Sequence, residues 1–458
     1  MTFLKPELSV PQQVPTGTQP PVPETVEDTG LGKEFLMDLL LRALYVQGAR
    51  SGAALAETLR LPFILLDEFL VTLQTRRLLE LRGSAGHGRS SYVFDLTNQG
   101  RNRARETMQT VAYVGPAPVP LAQYRAWVER QSIRHTVITQ TAVREGLSWL
   151  VLDPAMLDLL GPAVNSAKSV FLHGESGNGK TAIAETMARM VGGSMFIPYA
   201  IEVGGEVLIL FDPVHHRAVA KNELESPEPN RSFLRVLSDH DRRYVHVDRP
   251  VVMVGGELGM EQLDLQYDVQ AKVYQAPFQM KANGGVLILD DFGRQRVPPR
   301  DLLNRWIVPL ERRVDYLTLH TGVKFPVPFD CLLVFATNIA PDHLVEEAFL
   351  RRIHYKIRVD SPTREQYEEI FRRCCAERSL PYTAAATAQI YRDYYERLGI
   401  DPRACHPRDI LEHLLDIGSY RGLPRKLSPE LIDAACRSYF LELTASPPKA
   451  TVPPGGRA

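Results

Sequence analysis

Residues 174–181 read Gly174-Glu175-Ser176-Gly177-Asn178-Gly179-Lys180-Thr181, preceded by the apolar run Val170-Phe171-Leu172 and followed by a helix-like stretch from Ala182 to Met190. Each residue type answers a separate demand of a phosphate-binding loop. Glycines let successive backbone N–H groups turn inward around phosphate oxygens, Lys180 reaches the β- and γ-oxygens, and the Thr181 hydroxyl can ligate Mg²⁺. A strand before this octapeptide and a helix after it predict a nucleoside triphosphate site.

Working outward, Gly284-Gly285-Val286-Leu287-Ile288-Leu289-Asp290-Asp291 has the pattern of a buried parallel strand that ends in two carboxylates. At the carboxyl end of such a strand, Asp290 would hold the hydration shell of Mg²⁺ and Asp291 would polarise the attacking water. A third apolar run, from Cys331 to Ala336, ends in Thr337-Asn338, a polar tip able to orient that water or touch the γ-phosphate. The three runs together predict an α/β fold.

The chain has 458 residues, 44% of them hydrophobic, and therefore room for about two to four folded units. Its 53 basic and 54 acidic residues nearly cancel, which excludes a global electrostatic pull toward nucleic acid or an anionic membrane. Five cysteines without metal-ligand spacing fit a reducing compartment. No run approaches 18 apolar residues, so a soluble, cytoplasmic protein without a membrane span is expected. Residues 1–29, rich in Pro, Gln, Thr and Glu, and the tail 446–458 read as disordered.

Residues 30–112 predict a winged helix-turn-helix pattern. Apolar positions at helical spacing run over 33–47 and stop at Gly48, and Ser51 caps a second helix to Leu61. A third runs to Arg77, strands 78–81 and 92–96 flank a Gly-rich turn, and Thr97 caps a fourth. Arg76, Arg77, Arg82, Arg89, Arg101, Arg103 and Arg105 offer DNA contacts, whereas Asp67 and Glu68 on the apolar third helix favour protein docking. Residues 113–165 read as a linker or adaptor that packs on the nucleotide domain. His215-His216 lacks carboxylate or cysteine partners at metal-ligand spacing.

Phosphate loop, acidic strand and Ala-Thr-Asn strand, then Ala348-Phe-Leu-Arg351-Arg352-Ile and His406-Pro407-Arg408-Asp409, resemble an AAA+ ATPase in that family's order. The resemblance implies a base domain at 166–361 and a helical lid at 362–445. It implies that Arg351 or Arg352, the latter preferred, reaches the nucleotide of a neighbouring subunit, and that Arg408 brings the lid to the γ-phosphate. Where the family commonly has Asp-Glu, this chain has Asp290-Asp291, which draws the carboxylate back by roughly 1.5 Å. Replication initiators of the same superfamily share that pair.

The stretch from Pro277 to Asp291 is similar in spacing to enhancer-binding activators. Residues 314–328 read as the hairpin that marks the pre-sensor-1 hairpin branch, with magnesium-chelatase-type and Holliday-junction motors among its members. Val254-Gly-Gly-Glu-Leu-Gly-Met260 reads either as a segment that lines a ring pore or as a plain connecting loop, and residues 201–210 read as a second hairpin through Gly204-Gly205. As a whole the chain resembles bacterial predicted ATPases with chaperone activity associated with pilus-assembly loci. The resemblance implies ATP and Mg²⁺ as cofactors, a homo-oligomeric ring such as a hexamer, and remodelling of a protein client. The alternative is an ATP-controlled DNA-binding switch acting through residues 30–112.

Overall fold

A computed structural model describes residues 19–219, 239–340 and 351–444. At its centre lie five parallel strands in the order Val251–Val254, Val286–Leu289, Leu332–Thr337, Ser169–His173, Tyr355–Arg358. The inner strands are mainly apolar and buried because both faces are covered, whereas the edge strands Val251–Val254 and Tyr355–Arg358 expose part of their residues. Successive side chains alternate between two cores. Val170, Leu172, Ile288 and Val334 pack with Ile183 and Met187 of the helix Lys180–Val191, whereas Phe171, Leu287 and Phe335 pack with Trp306 and Phe292. The α/β class expected from the sequence is the one observed.

A second sheet is ordered Gln266–Asp268, Val273–Gln275, Glu206–Ile209, Ala200–Val203, Val119–Pro120. Its hairpin turns at Gly204 and Gly205, with φ of 61° and 87°, a conformation that glycine adopts without penalty. Strands Val314–Thr318 and Lys324–Pro328 form a separate antiparallel hairpin, as the alternation predicts. An all-helical unit follows, with helices Arg364–Glu377, Ala384–Ile390, His406–Tyr420 and Pro429–Thr444 around Tyr367, Phe371, Ile410, Leu414 and Phe440.

The N-terminal module runs helix Lys33–Gln47, strand Arg50–Ser51, helices Gly52–Leu59 and Phe63–Thr75, strands Leu79–Ser84 and Tyr92–Leu96, and helix Asn98–Thr110. Ser51 and Thr97 accept backbone N–H groups at two of the helix starts.

One expected boundary needs correction. The arm expected to be disordered over 1–29 has defined structure from residue 19, with a helix at Val26–Thr29 whose Val26 and Thr29 are buried. Arg243 donates to Thr29 O at 2.9 Å and Asp241 N to Pro20 O at 2.8 Å, so the anchoring groups lie far along the chain. Residues 1–18 and the tail 446–458 lie outside the described residues. The stretch 113–165, read as a linker or adaptor that packs on the nucleotide domain, carries structured elements. Val119–Pro120 adds a parallel strand to the second sheet, and helix Leu121–Arg130 buries Tyr124 and Trp127 beneath it. Among the described residues no helix is long and apolar enough to cross a membrane.

Candidate nucleotide-binding site

The loop 174–181 connects the central strand Ser169–His173 to the helix that starts at Lys180. Its glycines are obligatory for two reasons. Gly174, Gly177 and Gly179 have φ of 142°, 85° and 87°, and a Cβ on Gly174 would stand 2.2 Å from Val359 O. No side chain caps the helix at Gly179, which leaves its first N–H groups directed at the loop's concavity, an anion site. Lys180 is 7% exposed, and its Nζ donates to Gly174 O at 3.0 Å and Glu175 O at 2.9 Å. Burial holds its ammonium below the ordinary lysine range, opposed by the charges of Asp291 and Asp290.

The acidic pair leaves the strand Val286–Leu289 directly opposite. Thr181 Oγ1 donates to both carboxylate oxygens of Asp290 at 3.0 Å. Asp291 has φ of 48°, a left-handed conformation that Asp tolerates better than most residues, and its exposed carboxylate accepts from Asn338 Nδ2 at 3.2 Å. Thr337 Oγ1 donates to Phe292 O at 2.6 Å, which fixes the Thr337-Asn338 tip beside the acidic turn. Lys180, Thr181, Asp290, Asp291 and Asn338 therefore converge at the carboxyl edge of the sheet. A hydroxyl and a carboxylate side by side form a hard-oxygen donor set of the kind Mg²⁺ takes, so Thr181 and Asp290 fit that ion.

The helical unit closes the other side. A cavity of about 380 Å³ lies between the loop and this unit, with Arg408, Ile370 and Cys374 on its helical wall and Trp149–Leu152 on a third wall. Its size suits a nucleoside. Arg408 lines it, with the guanidinium paired to Asp409 at 2.8 Å. Segment 403–405 lies across the loop. Cys405 N donates to Gly177 O at 2.9 Å, Ala404 N to Asn178 Oδ1 at 3.3 Å, and Asn178 Nδ2 to Ser361 Oγ at 3.3 Å. Sequence reasoning missed these contacts and the Trp149–Leu152 wall. The one available signal was the apolar run Leu150-Val-Leu152 before Asp153, which caps the helix Pro154–Asn165.

Arg352 stands elsewhere. Its carbonyl accepts from Ser169 Oγ, at the start of the strand whose far end feeds the phosphate loop, about 16 Å away for five residues. Its Nε donates to Glu311 at 2.5 Å, whereas Arg351 is exposed. Ala348, Phe349 and Leu350 lie outside the described residues. The segment 254–260 does not offer its leucine to a pore, because Leu258 is wholly buried in the core beside Val254 and Leu263. His216 spends both ring nitrogens internally, on Asp212 N and Lys281 O, each at 2.9 Å.

Comparison by sequence finds no match among curated proteins. A family described as "Domain of unknown function (DUF8689)" matches residues 363–438, within the helical unit. Among solved structures, NtrX from Brucella abortus in complex with ADP aligns at 14% identity and a TM-score of 0.38, covering 66% of this chain. This chain spans 57% of that NtrX chain, less than two thirds of its length. The same protein in complex with ATP aligns at 14% identity and a TM-score of 0.36, covering 76% of this chain and 68% of that one. The Thermotoga maritima RuvB Holliday junction branch migration motor aligns at 14% identity and a TM-score of 0.33, covering 67% of this chain and 72% of that one. At such scores these likenesses carry nothing about what the chain does; the site geometry carries that argument.

Proposed function

We propose that this chain is an AAA+ type, Mg²⁺-dependent ATPase that works as a cytoplasmic homo-oligomer and remodels a protein client. The observation that supports it most is the convergence of Lys180, Thr181, Asp290, Asp291 and Asn338 on one loop mouth. No ordinary Gly-rich turn needs that set. The loop N–H groups and Lys180 would bind the phosphates. Thr181 and Asp290 would hold Mg²⁺, which when bound neutralises phosphate charge. Asp291, oriented by Asn338, would accept the proton of the attacking water, and Arg408 would present the lid to the γ-phosphate.

A further positive charge would come from a second copy, since Arg351 and Arg352 lie at the opposite end of the strand from their own loop. Arg352 was the sequence's preference, but its guanidinium is held by Glu311. The exposed Arg351 suits the role better, with Arg352 and Glu311 fixing the turn that presents it.

A protein client is favoured over DNA by the N-terminal module's own charges. Arg76 pairs with Glu34 at 3.1 Å, Arg89 with Asp67 at 2.8 Å, Arg82 and Arg101 with Asp95 at 2.7 and 3.2 Å, and Arg103 with Asp38 at 3.2 Å. Helix Phe63–Thr75, placed where a winged helix reads bases, exposes Ile64 and Val71. Such a face suits apolar docking rather than base edges.

Steady-state ATP hydrolysis across a protein concentration series tests the reading. A rate per subunit that climbs with concentration and falls at least about a hundredfold in Asp291→Asn is expected. A flat rate unaffected by Asp291→Asn would refute it. Salt-dependent binding of duplex DNA by the full chain would restore the alternative.

A further inference from the structure

The lid carries a second arginine beside the phosphate loop, Arg403. Three consecutive residues touch the loop there. Arg403 NH2 stands 3.5 Å from Glu175 Oε2, Ala404 N bonds the Asn178 side chain, and Cys405 N bonds Gly177 O. Arg403 Cβ lies 3.7 Å from where a Cβ on Gly177 would be. After burial and the opposing carboxylates, Arg403 is also among the charges acting on the Lys180 ammonium. Arg408, by contrast, binds the carboxylate of Asp409 next to it on its own helix.

Resting on the ATP reading above, we infer that Arg403 contacts the nucleotide phosphates, and that Glu175 is the carboxylate that competes with those phosphates for its guanidinium. The side chains are 32% and 65% exposed, and so wet a pair is weak. A polyphosphate offers more charge and a planar, two-point match to the guanidinium fork, so it wins that competition. Glu175 thus makes lid engagement conditional on phosphate, and the second position of the loop acquires a role beyond turn geometry.

Equilibrium binding of ATPγS to the full chain tests this with a double-mutant cycle. Arg403→Ala should weaken binding about ten- to hundredfold, the loss of a charge-assisted contact. Arg403→Lys, which keeps the charge without the fork, should recover part of it. Glu175→Gln should act in the opposite direction and tighten binding about two- to fivefold. That gain should vanish when Arg403 is already alanine. A merely structural latch predicts weakening from both single variants. Simple relief of repulsion between Glu175 and phosphate predicts the same gain with or without Arg403. Either result overturns the inference. A wild-type chain that binds no ATPγS would instead overturn the nucleotide reading beneath it.

Discussion

Gly177 allows a test of how the lid sits on the phosphate loop. An alanine Cβ there would approach Cys405 Sγ to 2.5 Å, closer than real carbon and sulfur atoms come, while the next neighbours, Cys405 Cβ and Arg403 Cβ, lie at 3.6 and 3.7 Å in ordinary contact. Gly177→Ala therefore carries two separable costs. The left-handed backbone, at φ of 85°, costs about 1–2 kcal/mol whether or not the lid is docked. The sulfur clash costs about 1–3 kcal/mol only in the docked state, the range for overpacking by one methyl group. Lid opening relieves only the clash, so the free energy of opening should fall by that second amount.

The Cys405 N–H, which donates to Gly177 O at 2.9 Å, is the reporter. Its hydrogen exchange should accelerate about 5- to 150-fold in Gly177→Ala, the equivalent of 1–3 kcal/mol. In a Cys405→Ala background, where the sulfur is gone, the same substitution should change exchange less than about threefold. Equal acceleration in both backgrounds, or none in either, would show that segment 403–405 does not rest on the loop as described.

Other expectations follow from charges and burial. Arg351→Ala should abolish turnover by about three orders of magnitude or more while leaving ATPγS affinity within about twofold, and mixing with Lys180→Ala protein should restore hydrolysis; equal loss of both parameters would sink the trans assignment. Arg243 and Asp241, with side chains 2% and 3% exposed, pair at 2.8 Å, so Asp241→Asn should cost about 3–5 kcal/mol in urea unfolding and open residues 19–31 to proteolysis. Burial pushes the imidazoles of His216 and His406 down to about 4, below the ordinary 6.5. Both stay neutral when folded, so the unfolded chain binds more protons below pH 6.5, and the urea midpoint should fall as pH drops from 6.5 toward 4; a flat midpoint across that window would refute it.

The phosphate loop was legible because each of its residues is fixed locally, by backbone sterics or by one piece of chemistry. The hairpin at Gly204-Gly205 was legible for the same reason. What escaped were features whose cause lies far along the chain. Nothing in Pro20 or Thr29 signals that Asp241 and Arg243 will hold them. A Pro-rich stretch and a Pro-rich strand edge look alike in composition, and Val119–Pro120 became a strand only because Ala200–Val203 lies alongside. Sequence gives no view of Glu311, which pairs with the guanidinium of Arg352. Periodicity is silent in the short Gly-rich segment 254–260, and only the buried cluster around Leu258 reveals that residue's place.

The N-terminal module is not a tethered accessory. Glu57 pairs with Arg242, Ala112 N donates to Ala271 O at 3.2 Å, and Val111 shares a buried cluster with Ala200, Val207 and Val273, so the module and the second sheet share one packed boundary. That sheet reaches the hairpin 314–328, whose His320 ring stacks on Tyr267 with centroids 4.3 Å apart. Behind the two strands that end in Asp291 and Asn338 sits one polar node. Asn283 Oδ1 accepts from Asp330 N at 2.8 Å, Asn283 Nδ2 bonds Tyr124 OH at 2.9 Å, and Asp330 accepts from Ser132 Oγ at 2.9 Å. Close-packed elements shift together rather than deform singly. The strands that carry the candidate catalytic groups are therefore built into the same solid as the module proposed to hold the client, while the helical unit meets that solid at the phosphate loop through segment 403–405. For this chain the hinge to examine is the lid, and the client side should move with the base.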